Sequence, residues 1–318
     1  MRNKKINASL KNHLQLGNYP TPIYTYDYIN NLTNTQIYFK MDSMICPDIG
    51  STKIRKLEFI LKRALDRGIK DFITVGNMFS NQCLTLAELS YKMKFNVYLF
   101  LNNGKGDEKK IYINTLLKYV DKSNIFLLQE NQWKYYGLEI EKLKKKLSVE
   151  RKSCEVIPLG ASSAIGMLGI IKMLYEIKEQ NFGSFPYDYI ICPVGSGGLA
   201  VGLDIALQIA KIEYCKIIGV SVADKLEILN RRINKYYFDF NAEFNTNFKT
   251  KYLELFENIN EGYGLLNKFE KEISKKISEN INIIIEEKYN LKTFLKFYDL
   301  LVQKILHTKK KYLEIITG

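Results

Sequence analysis

Short apolar runs alternate with helix-period segments along most of the chain, and few folds accept that order. "DFITVGN", "NVYLFLN", "YDYIICPVG" and "CKIIGVSVA" carry almost no polar position. A strand that is apolar on both sides must be buried on both faces, which is the habit of parallel sheets. Between such runs lie segments with apolar residues at helical spacing. "IRKLEFILKRALDRG", "SNQCLTLAELSYKMK", "SAIGMLGIIKMLYEIKEQ" and "LAVGLDIALQIAK" are examples. "QIYFKMD" and "NIFLLQ" add strands, and "KIYINTLLKYV" and "YGLEIEKLKKKLSVE" add helices. The pattern predicts an α/β fold with parallel twisted sheets covered by helices. From about Arg231 to Lys310 it predicts mainly helix. No Pro/Gly-rich boundary divides the chain, so a second domain is expected as an insertion within the first.

The 318 residues are 46% hydrophobic, enough for a core of this kind. The net charge of +13 raises the question of a nucleic-acid partner. Basic residues are scattered among acids, as in "EIEKLKKKLSVERK", and such runs are solvated helix faces. No zinc-finger spacing or RNA-binding aromatic motif occurs, so no nucleic-acid partner is expected. The N-terminal "MRNKKINASLKNHLQLG" has no apolar signal core, and no apolar run reaches a membrane span. Five widely spaced cysteines read as reduced thiols, which points to the cytoplasm. His13 and His307 lie near opposite ends, which argues against a histidine metal site or triad.

The strongest local signal is "YDYIICPVGSGGLAVGLDIAL", where a buried strand runs into Gly195-Ser196-Gly197-Gly198 and then a helix. Small residues let backbone amides approach an anion, and the helix N-terminus completes such a site. A tight turn needing positive φ is the plainer reading, but three glycines and a serine in four residues favour phosphate. Gly195, Gly197 and Ala200 also satisfy a dinucleotide pattern, with Asp224 as a candidate ribose acid. That rival, a nicotinamide oxidoreductase, places the acid further on than the usual spacing of about 20 residues. It also leaves a second feature unexplained. In "DIGSTKIRKLEFIL", Lys53, Arg55 and Lys56 crowd a helix start, where the macrodipole disfavours cations. Something anionic is expected at that turn.

Other segments gain meaning only in combination. Ser80, Asn81 and Gln82 in "TVGNMFSNQ" are good helix caps, and beside an anion they could hold a carboxylate. Gly160, Ser162 and Ser163 in "LGASSAIGMLG" read as another cap. Tyr263 in "NEGYGLLN", and Tyr289 with Asn290 just past an apolar strand in "IIIEEKYNLKTF", carry little weight alone in a chain with 22 tyrosines.

In their order, "GSTKIRKLEF", "SNQ", "LGASSAIG", "GSGGLAVGL", "EGYG" and "EKYNLK" closely resemble the aminocyclopropane-carboxylate deaminase and D-cysteine desulfhydrase family. That family belongs to the fold type II, tryptophan-synthase-β-like enzymes, and the resemblance runs from about Pro20 to the C-terminus. It implies pyridoxal 5′-phosphate as cofactor, with Lys53 forming the Schiff base and later removing the substrate's Cα proton. Lys56 would be a cation near the cofactor, and the phosphate dianion would compensate the charge at this turn. Asn81 would hydrogen-bond the ring O3′, and Ser80 and Gln82, with Asn81, would meet the substrate carboxylate. Gly195, Ser196, Gly197, Gly198 and Leu199 would hold the phosphate. Tyr263 would lie against the cofactor, Tyr289 would face the substrate, and Asn290 would sit at the pyridine nitrogen.

The resemblance further implies a homodimer and two domains. A small one spans 53–158, inserted into a large one made of 1–52 and 159–318. The expected substrate is a small amino acid, with β-elimination from D-cysteine or a relative giving a 2-oxo acid and ammonia. Aminocyclopropane-carboxylate deamination and biosynthetic β-replacement are the alternatives. Several positions depart from the family pattern. Gly50-Ser51-Thr52-Lys53 stands for Gly-Gly-Asn-Lys, Leu199 for a threonine, and Glu286-Glu287 for an acid-proline pair. Asn290 stands where the deaminases carry Glu and the desulfhydrases Thr. Ile316-Thr317-Gly318 stands for His-Thr-Gly-Gly.

Overall fold

The computed structural model describes residues 4–46, 51–104, 108–259, 266–280 and 286–318. The chain opens with α1 (Lys4–Ser9), β1 (Ile23–Tyr24), α2 (Asp27–Thr33) and β2 (Gln36–Met41). It continues through α3 (Lys53–Leu65), β3 (Asp71–Gly76), α4 (Asn81–Met93), β4 (Asn96–Asn102), α5 (Glu108–Leu116) and β5 (Ile125–Leu128). Two helices, α6 (Glu130–Lys134) and α7 (Tyr136–Val149), lead to β6 (Cys154–Ile157). Then come α8 (Ala164–Gln180), β7 (Tyr189–Val194), α9 (Gly198–Ala210), β8 (Lys216–Ser221), α10 (Leu226–Phe244) and β9 (Leu253–Glu257). Last are α11 (Lys268–Asn280), a π-helical turn at Glu287–Leu291, α12 (Lys292–Val302) and β10 (Lys311–Ile316).

The strands form two sheets. One has four strands in the order β5-β4-β3-β6, all parallel. The other has six, β1-β2-β10-β7-β8-β9, parallel except for the short edge strand β1. The sequence pattern thus predicts the fold class correctly, and the reason is burial. Every residue of β3 is buried, and so is every residue of α9 from Gly198 to Leu207. A helix apolar all round must be covered all round.

Four strands escape the sequence pattern, the two-residue β1 among them. β9 interrupts the stretch read as mainly helical; its "LELFE" is short, half exposed and at a sheet edge. β6 is only four residues. β10 is the last element of the chain and yet sits mid-sheet between β2 and β7. Its register aligns Glu314 with Phe39 on one side and Ile191 on the other. Tyr289 and Asn290 lie in the π-helical turn that opens α12. The apolar run expected before them, residues 281–285, lies outside the described residues, as does Tyr263.

Helix α3 lies between the sheets. Ile54, Leu57, Ile60 and Leu61 join the core around β3 and β4, while Phe59 joins the core around β7 and β8. It also packs closely on α8, because Gly169 lets the Arg55 carbonyl approach where any Cβ would collide. The first turn of α3 is therefore held rigidly at the line where the two sheets meet.

Candidate active site

The carboxyl ends of parallel strands converge on one cleft, the usual ligand position in such sheets. Gly76 ends β3, Val194 ends β7, and Thr317 follows β10. The loops after them line the cleft together with the start of α3. Thr52, Lys53 and Lys56 come from the start of α3, Asn77, Ser80, Asn81 and Gln82 from the β3–α4 turn and the start of α4, and Leu159 and Gly160 from the turn after β6. Gly195, Ser196, Gly197 and Leu199 face them from the β7–α9 turn, with Arg232, Tyr289 and Thr317 completing the wall.

The glycine turn is built for close approach. Gly197 caps α9 with φ 100°, a conformation that disfavours a side chain. A Cβ on Gly198 would strike Ser162 Oγ and lie 3.1 Å from Lys56 Nζ. The first amides of α9 have no intrahelical partner, and Gly197 and Leu199 line the cleft. Ser196 Oγ meets Ser162 Oγ at 2.8 Å, and Ser162 Oγ receives Lys56 Nζ at 3.2 Å. Ser163, its neighbour, is the helix cap, accepting from Gly166 N at 3.1 Å. The sequence could not separate these two serines, because either hydroxyl suits a cap.

The three cations of α3 have different fates. Arg55 turns away from the cleft and is fully buried. Its Nε and Nη2 hold Asp42 at 2.8 and 2.7 Å, and its Nη1 holds Glu176 at 2.8 Å. The expectation that a bound phosphate compensates the whole cluster is thus corrected for Arg55, whose charge the protein itself balances. Burial would raise Glu176, but Arg55 and Lys40 hold it at about 2. Lys53 and Lys56 face the cleft. Among the described residues Lys56 donates only to neutral oxygens, Gly160 O at 3.1 Å and Ser162 Oγ. Burial and the nearby Lys53 charge push its pKa well down. Among the described residues Lys53 Nζ has no hydrogen bond or ion pair. Burial lowers its pKa, and the more distant Glu286 and Asp42 carboxylates only partly restore it.

At the start of α4, Ser80 Oγ accepts from Cys83 N at 3.3 Å, and the Ser80 carbonyl accepts from Tyr112 at 2.7 Å. Asn81 donates to Gly318 O at 2.9 Å. The Gln82 side chain is committed within the protein. It donates to Thr74 and to Pro158 O at 3.0 Å, and accepts from Ala161 N at 2.9 Å. It braces the turn after β6, so only its backbone amide is left for a ligand.

Asn290 is fully buried. Its Oδ1 accepts from Thr317 N at 2.9 Å and Thr317 Oγ1 at 3.2 Å. Because the Thr317 amide can only donate, the Asn290 NH₂ must be the other end, and that nitrogen has no partner among the described residues. Tyr289 packs on the glycine turn, with Cε1 3.1 Å from where a Gly195 Cβ would be. Leu199 is buried at the end of the same turn.

One site residue carries no signal in the sequence, and a second, Thr317, shows there only within the closing Ile316-Thr317-Gly318. Arg232, on α10, donates to Gly195 O at 3.1 Å and pairs with Asp224 at 2.9 Å. Asp224, the candidate ribose acid of the dinucleotide reading, is therefore engaged by a protein cation. Thr317 joins α3 to Asn290, since its carbonyl also receives Thr52 N at 2.9 Å.

A family model described as "Pyridoxal-phosphate dependent enzyme" matches residues 14–241. The chain is similar to the bifunctional D-cysteine desulfhydrase/1-aminocyclopropane-1-carboxylate deaminase of Arabidopsis thaliana, at 27% identity over 86% of this chain and 70% of that protein. It is also similar to a putative 1-aminocyclopropane-1-carboxylate deaminase of Pyrococcus furiosus, at 28% identity over 90% of this chain and 86% of the other. A solved structure described as an ACC deaminase homologue superposes with a TM-score of 0.85, at 28% identity, over 99% of this chain and 94% of that one.

Proposed function

We propose a function from one premise: this chain belongs to the family of pyridoxal-phosphate dependent enzymes. Its fold is that of the fold type II group, and its cofactor is pyridoxal 5′-phosphate. The cleft fits that group on three counts. Two lysines face it with no carboxylate among the described residues paired to either, which suits a phosphate dianion. The glycine turn before α9 presents amides to the same space. Asn290 offers a buried NH₂ with no partner among the described residues, which suits an unprotonated ring nitrogen.

Our reading is a lyase acting on a small amino acid, with β-elimination from D-cysteine or a related compound to a 2-oxo acid and ammonia. When bound, the cofactor supplies an electron sink and a carbonyl carbon for the amino group. Lys53 is the residue that would hold the cofactor covalently and then take the proton from the substrate Cα. Its burial favours the neutral amine that such a base requires. Lys56, Ser196 and the amides from Gly197 to Leu199 would hold the phosphate. Ser80, Asn81 and the first amides of α4 would orient the substrate carboxylate. Tyr289 would face the substrate. Tyr263 would lie against the cofactor.

The single observation that carries the choice of reaction is Asn290. A neutral amide cannot keep a proton on the ring nitrogen as a carboxylate would, so substrates with a good leaving group on Cβ suffer least. Cyclopropane opening lacks such a group and should be slow. Steady-state keto-acid release from D-cysteine and from 1-aminocyclopropane-1-carboxylate tests this. Faster turnover of the cyclopropane compound would move the assignment to the deaminases. Formation of a new thioether amino acid, with no keto acid, would move it to β-replacement.

The same reading makes 53–158 a small domain inserted between 1–52 and 159–318, and the protein a cytoplasmic homodimer without a nucleic-acid partner. All five cysteines are free, in keeping with a reducing compartment. No helix among the described residues is long and apolar enough to cross a membrane. Sedimentation would report the dimer, and gel shift at physiological salt should show no DNA binding.

A further inference from the structure

The cleft continues past the inner site. Beyond Asn77, Leu159 and Asp224 it widens into an outer chamber of about 980 Å³. Its walls come from both sides of the molecule. Trp133 and Tyr136 stand on α6 and α7, Phe79 on the turn after β3, and Tyr236 on α10. Charges there are balanced within the protein, for Arg232 pairs with Asp224, Lys235 with Asp239 at 2.6 Å, and Glu243 with Arg63 at 3.2 Å. Aromatic rings line much of the rest, beside the neutral side chains of Asn77, Asn102 and Ser163. The rings of Trp133 and Tyr136 lie 5.5 Å apart, tilted by 38°, and Tyr136 is 37% exposed.

A thiol leaving group as small as that of cysteine needs only the inner chamber. An aromatic surface contiguous with a reaction site, in a chamber of this size, matches a larger group carried by the substrate. We propose that the outer chamber is a subsite for the β-substituent, and that the substrates include thioether amino acids whose sulfur bears an apolar or aromatic group. This rests on the β-elimination reading. The Cα proton passes to Lys53, and the Cβ–S bond breaks with its electron pair leaving on sulfur, which takes up a proton. Overall, an S-substituted cysteine and water give a thiol, pyruvate and ammonia, with no oxidant or reductant.

Trp133 is the sole tryptophan of the chain, so its emission reports on the chamber directly. S-(4-nitrobenzyl)-D-cysteine added to the holoenzyme should quench that emission saturably, while D-cysteine and free 4-nitrobenzyl alcohol should not. Tyr136→Ala should weaken the saturable phase about threefold to tenfold, the worth of one aromatic contact, and leave D-cysteine turnover unchanged. Linear quenching equal to that of the free alcohol, or an unchanged affinity in Tyr136→Ala, would overturn the subsite. Saturable quenching without thiol release supports the subsite and counts against the elimination reading. Keto acid from D-cysteine without saturable quenching does the reverse.

Discussion

One turn of α3 carries cations into two unlike surroundings. Behind it, Arg55 meets Asp42 and Glu176 in a buried network that Lys40 joins, with every charge answered by the protein. In front of it, Lys56 is buried and Lys53 half-buried, and among the described residues no acid is paired to either. Burying an unpaired charge is costly, whereas a buried pair with good geometry is tolerated. The back of the turn is therefore a structural anchor, and the front is a site prepared for an anion from outside. Cations so close in sequence differ in role only because the fold turns them to opposite sides.

The widest separation should appear on replacing Lys53. Lys53→Met should lower activity on the order of 10³-fold or more, the scale of a positioned acid–base group. It should leave the stability of the cofactor-free protein unchanged or raised, because a desolvated cation is removed. Paired chemical denaturation and turnover measurements would check both halves. Arg55→Met should give the opposite pattern, a stability loss of roughly 3–5 kcal/mol, since Asp42 is left buried and unpaired. If Arg55→Met were as stable as the natural protein, the division between anchor and site would fail.

Lys56→Gln should weaken cofactor affinity tenfold or more, given about 1.5–3 kcal/mol for a hydrogen bond to a charged group. Reconstitution titrations followed by absorbance would show it, and competition by inorganic phosphate should weaken in parallel.

The smallest effect concerns a third buried charge site, Glu314. It lies in the middle of the six-stranded sheet, and neither carboxylate oxygen has a partner among the described residues. Burial raises its pKa well above the usual carboxylate range. A raised folded pKa gives stability that is complete below the unfolded value of about 4.5 and is lost as pH rises through the folded value. Stability should therefore fall above pH 4.5, by at most roughly 1.4 kcal/mol per pH unit. Glu314→Gln should remove that slope in denaturation curves taken at several pH values.

Much of this was legible in the sequence. Fully apolar strands such as β3 can only be buried on both faces, so the parallel sheets could be read from composition and period. The glycine turn and the lysines of α3 were also visible, because anion sites need small residues and cations in few arrangements. The partition of charge was not. Arg55 differs from Lys56 only by its direction around the helix, and its partners Asp42 and Glu176 lie in distant parts of the chain. Arg232 was hidden for the same reason, as it reaches the cleft from α10, which shows no local motif. Gln82 looked like a ligand for substrate because it follows Ser80 and Asn81, yet the helix turns its side chain inward to brace Ala161.

The claim at the centre is that the front of α3 faces pyridoxal phosphate and that Lys53 is its covalent partner. Borohydride treatment of the holoenzyme followed by peptide mapping tests it most directly. The cofactor mass should appear on the peptide that contains Lys53, and at that lysine. A label at Lys56 or any other lysine, or no label on protein reconstituted with the cofactor, would contradict the account.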